Sequence, residues 1–251
     1  MSKRINKLTT IRKKKSGRDS SGHISVRHQG GGSKQFLRLI DWKRDKIDIT
    51  AKVADIQYDP NRTANIALLV YSDGEKRYIL APEKLKIGDL VVSSQKAEIK
   101  PGNTLPLKNI PSGIPIHCLE IFPSKGAQMV KSAGSAAYIE GVDGNKAQVK
   151  LPSSEIRIFN SNCLATIGQI GNSELINVKL KKAGDSRRKG IRPGVRGVAQ
   201  HPDSHPHGGG EGRSSIGMHP KTPWGKVAMG KKTRKRKKQS NRLIIKARKK
   251  K

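Results

Sequence analysis

Ala64-Asn-Ile-Ala-Leu-Leu-Val-Tyr71-Ser-Asp-Gly-Glu75-Lys-Arg-Tyr-Ile-Leu80 decides the fold class of this chain. Ala64 to Tyr71 reads as a buried strand. Ser72 to Glu75 reads as a hairpin turn, because Asp-Gly supplies the positive φ of a type I′ turn. Lys76 to Leu80 is the return strand. Upstream, Ile47 to Ile56 alternates apolar and polar residues and stops at the turn sequence Tyr58-Asp-Pro-Asn61. Downstream, Ile87 to Val92 is another short strand. Short strands with frequent turns predict a small barrel.

A Pro/Gly-rich joint follows, in Pro101 to Pro106 and Ile110 to Pro115. Beyond it a second series of strands is expected: Ile116 to Ile121, Ala136 to Gly141, Ala147 to Leu151, Glu155 to Phe159 and Leu164 to Ile170. Turns at Val142 to Asn145 and Pro152 to Ser154 punctuate it. This predicts a second small barrel. No long helical period is visible in the middle of the chain. The expected organisation is a basic, Gly-rich arm over 1–40, barrels over 41–105 and 106–183, and a basic, Gly/His-rich extension over 184–251. The fold class is mainly β.

The charge sits outside the barrels. Of 251 residues 52 are Lys or Arg and 19 are acidic, giving a net charge of +33. Asp41 to Asn160 carries 17 basic and 14 acidic residues, so nearly all the excess lies in the flanks. Lys231 to Lys251 holds thirteen cations and no acid. Such blocks repel themselves and offer little apolar surface to bury, so they need a polyanion. Nucleic acid is the first expectation, since cations that neutralise phosphates release counterions and bind tightly in a salt-dependent way.

The same composition excludes other classes. Hydrophobic residues make up 33% and aromatics 4%, low for a globular enzyme. No run approaches the roughly 20 apolar residues of a membrane span, so no membrane partner is expected. The N-terminus lacks a secretory apolar stretch. Its Lys/Arg-rich, acid-poor character suits an RNA-binding arm and faintly resembles a transit peptide. Cys118 and Cys163 stand alone, without a C-x-x-C pair, and read as small buried residues. Gly30-Gly31-Gly32-Ser33-Lys34 has the wrong spacing for a phosphate-binding P-loop.

His201, His205, His207 and His219 form the one metal- or catalysis-like cluster. Only Asp203 and Glu211 lie at a spacing that could complete a metal site. RNA packing is the better reading. Gly208, Gly209 and Gly210 let backbone amides approach phosphates, and imidazoles donate to phosphate or stack on bases. Trp224, within Thr222-Pro-Trp-Gly225, is expected to be a stacking platform or an anchor. Trp42 is expected at the barrel's edge.

These stretches carry a resemblance. Gly17-Arg-Asp-Ser-Ser-Gly-His-Ile-Ser-Val-Arg-His28-Gln-Gly-Gly-Gly-Ser-Lys34 resembles the N-terminal signature of the universal family of large-subunit ribosomal protein two. Tyr58 to Ala67, Asp73 to Leu80 and Ile99 to Pro106 look like the same family. So do Arg192-Pro193 with Val195-Arg-Gly197, His205-Pro-His-Gly-Gly-Gly-Glu-Gly-Arg213, and Thr222 to Gly225 with Gly230-Lys-Lys-Thr-Arg234. The His-Pro-His-Gly-Gly-Gly run is the most specific of these. Departures occur at Gln200-His-Pro-Asp-Ser204, at Arg188, where the family commonly has Trp, and in a shorter arm before Gly17.

The resemblance implies an OB-type barrel followed by an SH3-like barrel, with basic N- and C-terminal arms extended along large-subunit rRNA. It implies a structural, primary rRNA-binding role in translation that supports subunit association, tRNA binding and a peptidyl transferase centre made of RNA. No catalytic or metal-ligating residue is expected. The expected RNA contacts are Arg18, Arg27, His28, Gly30, Gly31, Gly32, Lys34, Arg192, Arg196, His205, His207, Gly208, Gly209, Gly210, Arg213, Trp224, Lys231, Lys232 and Arg234. Expected partners are rRNA, neighbouring ribosomal proteins and the small subunit at the interface. No cofactor is expected, with structural magnesium at the RNA interface as the one inorganic partner allowed for. The short arm and relaxed positions favour a mitochondrial ribosome over a plastid or bacterial one. The alternatives are a free ribosome-assembly factor and a His-dependent enzyme.

Overall fold

The computed structural model describes residues 5–248. Lys3, Arg4 and Lys249 to Lys251, all counted above among the arm cations, lie outside the described residues. The chain divides into two compact units. One holds Lys34–Lys179, with a short segment from each end of the chain, and contains both barrels. The other combines Lys13–Ser33 with Leu180–Gln239.

The first barrel is a curled antiparallel sheet of β3 (Ala51–Gln57), β4 (Ile66–Tyr71), β5 (Lys76–Leu80) and β6 (Leu90–Val91), in the order β5-β4-β3-β6. Ahead of it β1 (Thr9–Ile11) and β2 (Phe36–Arg38) form a separate antiparallel pair. A register shift between Val53 and Asp55 bends β3 across β4. Val53, Ala67, Leu69 and Ile79 fill the interior. Full burial of such a side chain stabilises by about 1.5–3 kcal/mol.

Two expectations change here. The strand expected from Ile47 starts only at Ala51, because Asp48 takes a left-handed φ of 60° that breaks the extended run. The turn after Tyr71 is not type I′. Only Gly74 has positive φ, the Tyr71 carbonyl accepts the Gly74 N–H at 2.9 Å, and the Tyr71 N–H donates to the Glu75 carbonyl at 2.9 Å. That is a three-residue loop closed by a left-handed glycine.

The second barrel is a seven-stranded sheet in the order β15-β13-β12-β11-β8-β14-β7. Its strands are β7 (Thr104–Pro106), β8 (Pro115–His117), β11 (Ala137–Asp143), β12 (Lys146–Lys150), β13 (Ile156–Asn160), β14 (Leu164–Ile167) and β15 (Ile244–Lys246). β9 (Leu119–Glu120) and β10 (Ala127–Met129) pair beside it. The one strand expected from Ile116 to Ile121 is split into β8 and β9 by Cys118, whose φ is 49°. β7 straddles the expected 105/106 boundary and pairs with β14. Its Pro106 is tolerated because β7 is an edge strand. β12 alternates strictly, with Ala147 and Val149 inward and Lys146, Gln148 and Lys150 outward.

The barrels share a third apolar cluster. Ile66, Leu68, Tyr78 and Leu80 from the first pack with Ile170 from beyond β14, and Trp42 and Cys118 lie against them. Trp42 is half-buried with Arg62 and Lys131 over its ring, in keeping with a place at the barrel's edge. Buried Asp59 fixes the Asp-Pro-Asn-Arg turn. Its carboxylate accepts the Asn61 N–H at 3.0 Å and the Arg62 Nε–H at 2.7 Å. Burial pushes the thiols of Cys118 and Cys163 up to about 12 and about 11, so both are inert. Among the described residues no helix is long and apolar enough to cross a membrane.

Candidate nucleic-acid interface

The second unit carries 22 Lys or Arg against four acidic residues. It has almost no apolar core, so backbone hydrogen bonds and glycines must hold it. One short helix, α1 (Ala183–Arg188), starts its C-terminal half. Next to it the two segments of the unit are laced together. The Gly30 N–H donates to the Gly190 carbonyl at 2.8 Å, the Ser33 N–H to the Arg188 carbonyl at 2.9 Å, and the Arg192 N–H to the His28 carbonyl at 3.0 Å. His28 adds a ring contact, Nδ1 donating to the Pro193 carbonyl at 3.1 Å.

Gly32 shows why this lacing needs glycine. A Cβ there would lie 2.8 Å from the Gly190 nitrogen and 2.9 Å from its Cα. Two backbones touch where a side chain would separate them. The tripeptide Gly30 to Gly32 was expected among the RNA contacts. Its first amide is spent on Gly190, and Gly32 docks one segment of the unit on the other.

The His-Gly run folds on itself in a similar way. His205 is 7% exposed, and its ring lies where a side chain on Gly197 would be. The His207 N–H donates to His205 Nδ1 at 3.0 Å, and the Gly208 N–H donates to the His205 carbonyl at 2.9 Å. Burial holds the His205 pKa below the usual histidine value, with the neighbouring His207 and Arg27 adding to the effect. The expected role of His205 as a surface contact is therefore corrected: its ring is an internal brace. His207 Nε2 accepts the Lys221 N–H at 2.9 Å. Both imidazoles spend a lone pair on backbone, which removes them as metal ligands or general bases at those nitrogens. Among the described residues no three His, Cys, Asp or Glu side chains converge on a metal-sized site.

Lys221 opens a tight hairpin. The Thr222 N–H donates to the Lys226 carbonyl at 2.7 Å and the Gly225 N–H to the Thr222 carbonyl at 2.9 Å, with Gly225 at φ 72°. This is the loop type seen after Tyr71. Trp224 sits at its tip, 72% exposed, with the Arg27 guanidinium 5.4 Å from the ring centroid.

The other expected contacts are mostly outside. Arg18, Arg27, His28, Gly31, Arg192, Arg196, Gly210, Arg213, Lys231, Lys232 and Arg234 are exposed, while Gly30, Gly32, His207, Gly208 and Gly209 are half-buried. Lys34 is exposed too, in the barrel unit, with its ammonium 5.6 Å from the Phe36 ring centroid. The second unit thus displays its cations on a backbone laced together at particular points rather than around an apolar core.

Residues 5–93 match the family described as Ribosomal Proteins L2, RNA binding N-terminal domain, and residues 100–225 match Ribosomal Proteins L2, C-terminal domain. The chain belongs to the ribosomal protein L2 family. It is a structural, rRNA-binding protein of the large ribosomal subunit, bound among rRNA and neighbouring ribosomal proteins. The L2 barrels are the OB-type and SH3-like barrels described above. Each curls around its own apolar core, and neither carries the charge excess.

Sequence reasoning missed several residues that shape this L2 interface. Asp19 organises the first loop: its carboxylate accepts the Ser21 N–H and the His23 N–H, each at 3.0 Å. Gly197 makes room for His205. Arg187 caps its own turn by donating to the Ile191 carbonyl at 3.1 Å. Asp19 had a local signal, an Asp followed by Ser and Gly. Gly197 stood within the Val195-Arg-Gly197 stretch, but its role had no local signal, because its partner ring is placed only by the tertiary fold.

Proposed function

We propose that this protein anchors the large subunit's RNA through its second unit, and that the anchored RNA supports subunit association, tRNA binding and peptidyl transfer by an RNA centre. The observation that carries this reading is the concentration of exposed cations on a unit held together by backbone contacts rather than by an apolar core. Such a unit presents an excess of positive charge to solvent, and a polyanion is the partner that neutralises it.

In this reading Arg18, Arg27, Lys34, Arg192, Arg196, Arg213, Lys231, Lys232 and Arg234 meet phosphate. His28 contributes its free ring edge, and Gly31 and Gly210, the exposed members of the two glycine runs, let the chain lie close to RNA. The protein supplies no cofactor chemistry, and magnesium enters as a counterion of the rRNA. The part it plays in peptidyl transfer is to position RNA. The departures at Arg188 and at Gln200 to Ser204 favour an organellar ribosome, mitochondrial ahead of plastid; cell fractionation of the tagged chain tests that assignment.

Large subunits reconstituted with Arg192→Glu/Arg196→Glu protein test the main proposal. The expected result is weakened association with small subunits and slower peptide-bond formation, with both barrels still folded. Particles that associate and react at the normal rate would refute it.

A further inference from the structure

We propose that Trp224 and Arg27 form a clamp for one unpaired base of the RNA. The inference rests on the rRNA-binding reading above and adds the kind of nucleotide this site takes. Pro223 fixes the φ of the first turn residue, and Gly225 closes the loop in the left-handed region at φ 72°. The Thr222 hydroxyl accepts the Lys226 N–H at 3.2 Å, adding a further tie across the loop. The indole is therefore displayed at the end of a short, rigid hairpin with little backbone freedom left to lose on binding.

One face of the indole is occupied. The Arg27 guanidinium lies over it, 5.4 Å from the centroid, within cation–π range. With 72% of the residue exposed, the opposite face is open. A planar group landing there would be stacked on an aromatic already backed by a cation. Lys221 and Lys226 flank the tip, so a ligand with phosphates on both sides of a flat ring meets charge and surface together.

That description is a nucleotide, and its base must be unpaired. In an A-form helix both faces of each base are covered by neighbours and the major groove is too deep and narrow for side chains to read. Only a base in a loop, a bulge or a single strand has a free π-face. Stacking is indifferent to base identity, so the clamp selects unstacked geometry rather than sequence.

Binding and fluorescence on the full chain test this. A Trp42→Phe background leaves Trp224 as the sole indole. The probes are oligoadenylate, an abasic ribose-phosphate oligomer of equal length, and a fully paired RNA duplex of equal charge. The expected result is quenching by oligoadenylate alone, with affinity roughly tenfold above the abasic oligomer. Trp224→Ala should abolish that difference and leave the salt dependence intact, whereas Trp224→Phe should keep part of it. Equal binding of all three probes without quenching would overturn the clamp and leave the rRNA-binding reading standing. Equal quenching by the duplex would also overturn it, because proximity to backbone would then suffice. Absence of salt-dependent binding to any probe would overturn both.

Discussion

His207 Nε2 accepts the backbone N–H of Lys221 at 2.9 Å, so a side chain of the Gly-rich run holds the base of the Trp224 hairpin. The residue is held in turn by its backbone N–H, which donates to His205 Nδ1 at 3.0 Å. A signature that reads as catalytic or metal-binding is thus a set of braces between two loops. His207→Phe keeps the volume and deletes the acceptor, leaving the Lys221 N–H unsatisfied at a cost of roughly 1–3 kcal/mol to the local fold. We expect faster hydrogen exchange at Lys221 and faster trypsin cleavage there, with an unchanged melting temperature of the barrels. The same holds for His205→Ala, since His205 belongs to the unit outside both cores. Early melting of the barrels in either variant would contradict this.

Gly32→Ala tests the lacing of the arm. The new Cβ would meet the nitrogen and Cα of Gly190 and, at 3.0 Å, the Arg188 carbonyl, none of which can rotate away. Hydrogen exchange should accelerate at the amides of Gly30 and Ser33, and rRNA affinity should fall. Gly74→Ala is the control: it has a left-handed φ of 81° but open space around it, so the cost is backbone strain alone, roughly 1–3 kcal/mol. Unchanged exchange at Gly30 and Ser33 would mean that the arm does not depend on close contact.

His117 gives a pH dependence. It is fully buried in β8, its Nδ1 donates to the Gly168 carbonyl at 2.8 Å, and burial lowers its pKa to about 4. A depressed histidine is neutral when folded and takes up a proton on unfolding, so the unfolded state binds more protons between about pH 6.5 and 4. Its contribution is fully present above about pH 6.5 and is lost as pH falls towards 4, amounting to about 3 kcal/mol. Urea denaturation should show wild type losing more stability than His117→Gln across that window. Parallel pH profiles would show that His117 does not titrate in this way.

Deleting Lys246 to Lys251 removes five cations. At roughly 0.7–0.9 per phosphate contact, the slope of log affinity against log salt should flatten by at most about 4.5. Because Lys246 ends β15, which pairs with β13, the second barrel should also lose some stability. An unchanged slope would mean that these charges do not meet phosphate.

The barrels were legible because their signals are local. Asp73-Gly74 marks a turn whichever loop type it adopts, and β5 begins and ends at the expected residues, Lys76 and Leu80. The strands that escaped notice need distant partners. β15 consists of Ile244 to Lys246 in a cationic tail, and only pairing with β13 makes it a strand. β1 depends likewise on β2. In the second unit, composition identified the charged surface, and Arg192, Arg196 and Arg213 are exposed as expected. Composition could not separate a glycine that approaches RNA from one that approaches protein. Gly30 and Gly208 spend their amides within the chain, and His205 turns inward because Gly197 has no side chain to exclude it.

Sedimentation of native ribosomes through gradients of rising salt, with this chain quantified in each subunit peak, tests the central claim most directly. An integral rRNA-binding protein should be present at one copy per large subunit and should stay bound through moderate salt washing. Sub-stoichiometric protein, or release at low salt, would contradict it.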